Sequence, residues 1–108
     1  MNTNKKKAVP EEMQYRCSLL AREILGWPGV TDRPMFGYRA FYRGAVVFAM
    51  FPDKRPLENP SAIWYKLHDP SHKKEGQKWH FVELDDDRSM TTAIVRLEKA
   101  YSSTDTRR

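Results

Sequence analysis

Apolar positions along the chain keep two different periods, and each change of period marks an element boundary. Between residues 10 and 26, Met13, Cys17, Leu20, Ala21 and Ile24 recur at i, i+4, i+7, i+8 and i+11, a single stripe along a helix. Pro10 suits the first turn, where its missing N–H costs nothing, and Glu11 and Glu12 meet the positive end of the helix dipole. Gly26 and Pro28 end it. Residues 29–35 lead onward as a short first strand.

In residues 33–52, RPMFGYRAFYRGAVVFAMFP, the period falls to two. Tyr38, Ala40 and Tyr42 alternate with Arg39, Phe41 and Arg43, and Gly44 supplies the turn of a hairpin. The returning arm, residues 45–51, is apolar on both faces: Val46, Phe48 and Met50 oppose Ala45, Val47, Ala49 and Phe51. A strand of that kind is central in its sheet and covered on both sides. Its alternation assigns Val46, Phe48 and Met50 to one core with Ile63, Tyr65, Leu20, Ile24, Ile94 and Leu97.

Residues 52–61 hold three prolines and four charges, which predicts a surface loop. Residues 62–68 return to strand alternation, with Ile63, Tyr65 and Leu67 opposite Trp64, Lys66 and His68. After a second loop over 69–77, residues 78–84 set Trp79 and Phe81 against His80, Val82 and Leu84. Asp85, Asp86 and Asp87 then open a second helix whose apolar face is Met90, Ala93, Ile94, Leu97 and Tyr101. The expected fold is α+β: an N-terminal helix, an antiparallel sheet of three to five strands built on the central hairpin, and a C-terminal helix, with both helices on one face. Residues 10–102 form the single domain, and 1–9 and 103–108 are disordered tails.

Composition adds little except through charge. The 108 residues are 40% apolar and 31% charged, as in an ordinary globular domain, and no apolar run is long enough to span a bilayer. The N-terminus has a basic start without the apolar stretch of a secretory signal. The single cysteine, Cys17, cannot form an internal disulfide and lies in the helical stripe, where it reads as core filler; a cytoplasmic location follows. Most of the net charge of +5 sits in the tails, through Lys5, Lys6, Lys7, Arg107 and Arg108. Within the body, residues 33–78 carry nine Lys and Arg against four Asp and Glu, while the helical regions on either side are each net negative. Such an asymmetry steers anionic partners.

Candidate chemistry is sparse. Three consecutive aspartates splay apart and do not cage a metal, so helix capping is the simpler account. His68 and His72 are spaced for a helix, but Pro70 lies in their segment. No nucleophile elbow and no glycine-rich phosphate loop is present. Neither an enzyme nor a cofactor is expected, and His68, His80 and Glu83 are where a catalytic cluster would have to form. What remains is the interleaving of aromatic and basic residues on predicted strands: Tyr38, Arg39, Phe41, Tyr42, Arg43, Trp64, Tyr65, Lys66, Lys78 and Trp79. An exposed sheet of that composition stacks bases and grips phosphates. The plainer reading, favoured for the rings, has them filling the interface beneath the helices while the charges face water.

Pro34-Met35-Phe36-Gly37, with Phe41-Tyr42-x-Gly44 and Val47-Phe48-Ala49-Met50, resembles the N-terminal domain of TfoX-like competence regulators, as does the apolar-Lys pair Tyr65-Lys66. Pro28-Gly29-Val30, Trp79-x-x-Val82-x-Leu84 and Leu97-x-x-x-Tyr101 are similar to the MmcQ/YjbR family, and a luciferase-domain-like family of unknown function shares the opening and closing patterns. Gly37-Tyr38 departs from the usual double glycine, and residues 52–61 are a longer connection than the pattern leads one to expect. The resemblance covers residues 13–101 and implies a compact, bacterial-type α+β domain with a DNA-binding or regulatory role and no catalytic residues to carry over. The expected function is therefore a non-catalytic regulatory or nucleic-acid-associated module. Its candidate contacts are Arg39, Arg43, Lys54, Arg55, Lys66, Lys73, Lys74 and Lys78, with residues 5–7 as a non-specific arm. The expected partner is DNA, bound weakly and without sequence preference, and no membrane. A protein-interaction domain using the exposed sheet face or the Pro-rich loop is the alternative, and a small-molecule or enzymatic role the third.

Overall fold

The computed structural model describes residues 6–53, 55–68 and 78–105. Helix α1 (Glu11–Leu25) is followed by strands β1 (Val30–Met35), β2 (Tyr38–Arg43), β3 (Val46–Pro52), β4 (Ala62–Lys66) and β5 (Trp79–Glu83), and the chain closes with helix α2 (Asp87–Ser103). The strands form one antiparallel meander in the order β1-β2-β3-β4-β5, which places the apolar arm β3 at its centre. Both helices pack on the same side. No described helix is long and apolar enough to cross a membrane.

Each element has a local cause. The stripe predicted for α1 is buried as a unit: Met13, Cys17, Leu20, Ala21 and Ile24. Helix α2 starts in a capping box. The Asp86 carboxylate accepts from the Ser89 backbone N–H at 2.8 Å, and Ser89 Oγ receives the Asp86 N–H at 3.1 Å. That hydrogen bond holds the Asp86 carboxyl below its usual pKa, and Asp86 is the member of the acidic triplet that caps. The two hairpin tips use positive φ. Gly44 (φ 61) opens the β2–β3 turn, and Phe36 (φ 50) and Gly37 (φ 86) together form the β1–β2 turn.

The hairpin register holds a bulge that alternation alone does not reveal. Phe41 pairs with Ala49 and Tyr42 with Val47, so Phe48 is an extra residue in β3. Phe48, Ala49 and Phe51 consequently join the core beneath the helices, and Met50 pairs with Ala40 and Trp64 on the opposite face. This corrects the expected core: Met50 leaves it, Val46 is half-buried outside it, and Phe51 enters fully buried. Leu20, Ile24, Ile63, Tyr65 and Leu97 belong to it as expected, with Ile94 partly buried against it.

Lys7, Val9, Ser103 and Thr104, which the sequence reading assigns to the tails, are held against the fold. Lys7 exchanges backbone hydrogen bonds with Leu57, at 2.8 and 2.9 Å, and Val9 is buried in the core beside α1. At the other end, Ser103 Oγ accepts from the His68 N–H, and Thr104 is buried with its hydroxyl donating to the Tyr101 carbonyl. An apolar residue ahead of the first helix and hydroxyl side chains at the end of the second anchor segments that composition marks as polar ends.

Candidate nucleic-acid interface

The sheet has two unlike faces. Beneath the helices lie Phe41, Phe48, Phe51, Ile63 and Tyr65. Among the described residues no element covers the other face. The pairings Arg33↔Ala40, Ala40↔Met50, Met50↔Trp64 and Trp64↔Phe81 run one row straight across all five strands of that open face. Beside it lie Thr31↔Tyr42, Tyr42↔Val47 and Lys66↔Trp79, and beyond Ala40 the pair Met35↔Tyr38. The aromatic residues thus divide between the faces. Of the rings in that expectation, it holds for Phe41 and Tyr65 and fails for Tyr38, Tyr42, Trp64 and Trp79. Strand alternation separates the two sets but is silent about which set the helices cover.

Ring and charge are paired on the open face. The Arg33 guanidinium lies 5.1 Å from the centre of the Tyr42 ring, and the Lys66 ammonium 5.4 Å from that of Trp79. Trp64 and Phe81 meet at 5.2 Å, tilted by 46°. Phe81 is 52% exposed, high for so large an apolar side chain. The Trp64 indole N–H is buried without a partner, an unmatched donor in this face. At the corner beyond Met35 and Tyr38, the β1–β2 turn presents Phe36, 90% exposed. Its conformation depends on Gly37, where a Cβ would stand 3.0 Å from Leu57 Cδ2 and 3.4 Å from Arg55 Cβ.

Among the described residues, the basic side chains expected to act together are dispersed. Arg39 and Arg43 leave β2 on the helix side. Arg39 is ion-paired with Asp32 and lies over Phe41, and Arg43 lies over Tyr101 and donates to its carbonyl. Arg55 is exposed beside the β1–β2 turn, Lys78 is exposed at the start of β5, and Lys66 stands on the open face. Lys54, Lys73 and Lys74 lie outside the described residues. Arg33, Phe36 and Phe81, absent from the expected set, occupy the open face or its corner. The spacing of Trp79 and Phe81 was the available signal for Phe81.

The remaining titratable groups are scattered. His80 and Glu83 leave β5 on opposite faces, and the His68 ring is bonded through Nε2 to the Val47 carbonyl at 2.9 Å. Among the described residues no three His, Cys, Asp or Glu side chains are grouped to hold a metal ion. Burial pushes the Cys17 thiol up to about 12, with the Asp53 charge adding to the effect and Arg39 opposing it. A thiol held neutral in this way is not a nucleophile at physiological pH.

No family model, curated protein or solved structure matches the chain.

Proposed function

We propose that the protein is a small cytoplasmic, non-catalytic module that binds single-stranded nucleic acid on the open face of its sheet. The observation that carries the reading is the pairing of half-buried rings with cations on a face that no described element covers, Arg33 with Tyr42 and Lys66 with Trp79, next to the exposed Phe81 ring against Trp64. Unpaired bases present their π-faces to such a platform, and each stacked base contributes about 1–3 kcal/mol. The cations neutralise phosphates as the strand crosses. A duplex keeps its bases stacked inside and cannot use the rings, so the single strand is the favoured ligand. The basic excess of residues 33–78 and Lys5, Lys6 and Lys7 supply long-range attraction without sequence preference.

The test is a titration of intrinsic tryptophan fluorescence with a single-stranded oligonucleotide and with the duplex of the same sequence. We expect the strand to quench the fluorescence and bind more tightly than the duplex. Phe81→Ala and Trp79→Ala should each weaken binding by roughly tenfold, from the loss of one stacked base; the Phe81 variant keeps all three tryptophans as reporters. Equal affinity for strand and duplex, or unchanged binding by both variants, would remove the reading and leave a protein-binding face as the better account.

A further inference from the structure

At the edge strand β5, an open cleft of about 450 Å³ lies between that strand and α2. Its size is that of a small-molecule pocket. The chemistry of its lining is one-sided. Arg96 and Thr92, one helical turn apart, face it from α2; His80 and Val82 face it from β5, where Trp79 and Phe81 also border it, and Tyr65 from β4. The lining holds no carboxylate. The Arg96 guanidinium donates one hydrogen bond, 3.4 Å long, to the hydroxyl of the buried Tyr65. It is in neither of the two ion pairs among the described residues, Arg16–Glu12 and Arg39–Asp32. Because Tyr65 Oη accepts from Arg96, its own proton is left for another acceptor. The His80 ring is held 5.3 Å from the Tyr65 ring at 24°, which stacks it over the same floor.

A guanidinium, two hydroxyls and an imidazole therefore border one open cleft whose lining holds no acid to neutralise them. All four can donate hydrogen bonds, and a tetrahedral oxyanion is the ligand that accepts several at once. We infer that this cleft is a phosphate-binding site for a phosphomonoester, with Arg96 as its charged anchor and Thr92, Tyr65 and His80 as its further donors. The inference does not depend on nucleic-acid binding by the open face. The phosphate has two possible carriers, a small metabolite or the end of a nucleic-acid strand, and the test separates them.

The experiment follows backbone amide resonances while inorganic phosphate is added to the full chain, with sodium chloride at matched ionic strength as the control. We expect saturable shifts centred on Tyr65, His80, Thr92 and Arg96 that chloride does not produce. Arg96→Gln should weaken phosphate binding by roughly tenfold or more, since a charge-assisted contact is lost. Thr92→Val should weaken it by a smaller factor, and Arg22→Ala, which removes an exposed cation of α1 outside the lining, should leave it unchanged. Arg96 and Thr92 are exposed, so both variants are expected to fold, and their spectra report that directly. Shifts that chloride reproduces, or equal binding by wild type, Arg96→Gln and Thr92→Val, would overturn the site. Comparing an oligonucleotide with its 5′-phosphorylated twin then identifies the carrier. Tighter binding of the phosphorylated strand, lost in Arg96→Gln, assigns the phosphate to a strand end. Equal binding of the two strands, with inorganic phosphate still bound through Arg96, assigns it to a small molecule. Both results uphold the site, and the second does so even if the open face binds no nucleic acid.

Discussion

The guanidinium of Arg43 lies 4.2 Å from the centre of the Tyr101 ring and donates a hydrogen bond to the Tyr101 carbonyl at 3.2 Å. Tyr101 is itself fixed by its hydroxyl, which donates to the Pro28 carbonyl at 2.7 Å, and by contacts with the rings of Trp27 and Phe48. The arginine at the tip of the central hairpin thus clamps the end of α2 to the sheet. Replacing it should act on stability before it acts on any ligand. We expect Arg43→Ala to cost about 1–3 kcal/mol, from one cation–π contact and one hydrogen bond. Arg43→Glu should cost more, because a carboxylate would face both a ring and a carbonyl oxygen. Chemical denaturation measures both. A charge-reversed protein as stable as the wild type would show that the clamp contributes nothing.

The bulge in β3 makes a sharper claim about neighbouring positions. Phe48 is fully buried beneath the helices, and Met50, two residues on, stands on the open face half-buried. Phe48→Ala should destabilise by about 3–5 kcal/mol, and Met50→Ala by only about 1–2 kcal/mol. Strict alternation would put the two residues on one face and make their costs similar. Comparable losses for both variants in urea unfolding would rule out the bulge.

Much of this fold is legible in the sequence because its signals are periodic. The helical stripe from Met13 to Ile24 and the alternation of Tyr38, Ala40 and Tyr42 against Arg39, Phe41 and Arg43 hold in the structure as read. The bulge at Phe48 escapes such reading, since one inserted residue leaves an all-apolar strand just as apolar. The candidate interface was harder still. Arg39 and Arg43 read as surface cations by residue type, but their partners Asp32 and Tyr101 come from β1 and α2, and only the tertiary fold brings them close. The phosphate cleft rests on Tyr65, His80, Thr92 and Arg96, drawn from three elements at unrelated spacings, and no local motif announces it.

Cys17 offers a test of the core through its chemistry. Burial foremost, and the Asp53 charge after it, raise its pKa from 9.0 to about 12. In the folded protein at pH 8 the thiol should therefore resist iodoacetamide, and unfolding should release it to react. The linked effect on stability follows from the direction of the shift. The unfolded chain loses this proton near pH 9 and the folded chain only near 12, so the contribution of the neutral thiol is intact below about pH 9 and declines as pH rises toward 12. Cys17→Ala should remove that part of the alkaline decline, leaving the slope due to other groups. Rapid alkylation of the native protein at pH 8 would show the thiol is accessible and ionised, contrary to its burial.

Phe36 combines strain with exposure, and the two make opposite predictions for one substitution. Its φ of 50 lies in the left-handed region, which a bulky residue enters at a cost of about 1–2 kcal/mol. The following residue, Gly37, has φ 86, so the pair forms the turn in which Asn-Gly is the favoured sequence. A ring 90% exposed recovers little of that cost through packing. Phe36→Asn should therefore raise stability by roughly 0.5–1 kcal/mol, since asparagine tolerates this conformation better. If the ring is kept at the corner of the open face to stack on a base, the same variant should bind a single strand several-fold more weakly, the lower end of one stacking contact. Phe36→Tyr, which retains the ring, should bind as the wild type does. Thermal unfolding and strand titration of the two variants decide the matter. A destabilised Phe36→Asn would mean that the turn gains more from the ring than its exposure allows, and undiminished strand binding by that variant would remove Phe36 from the interface.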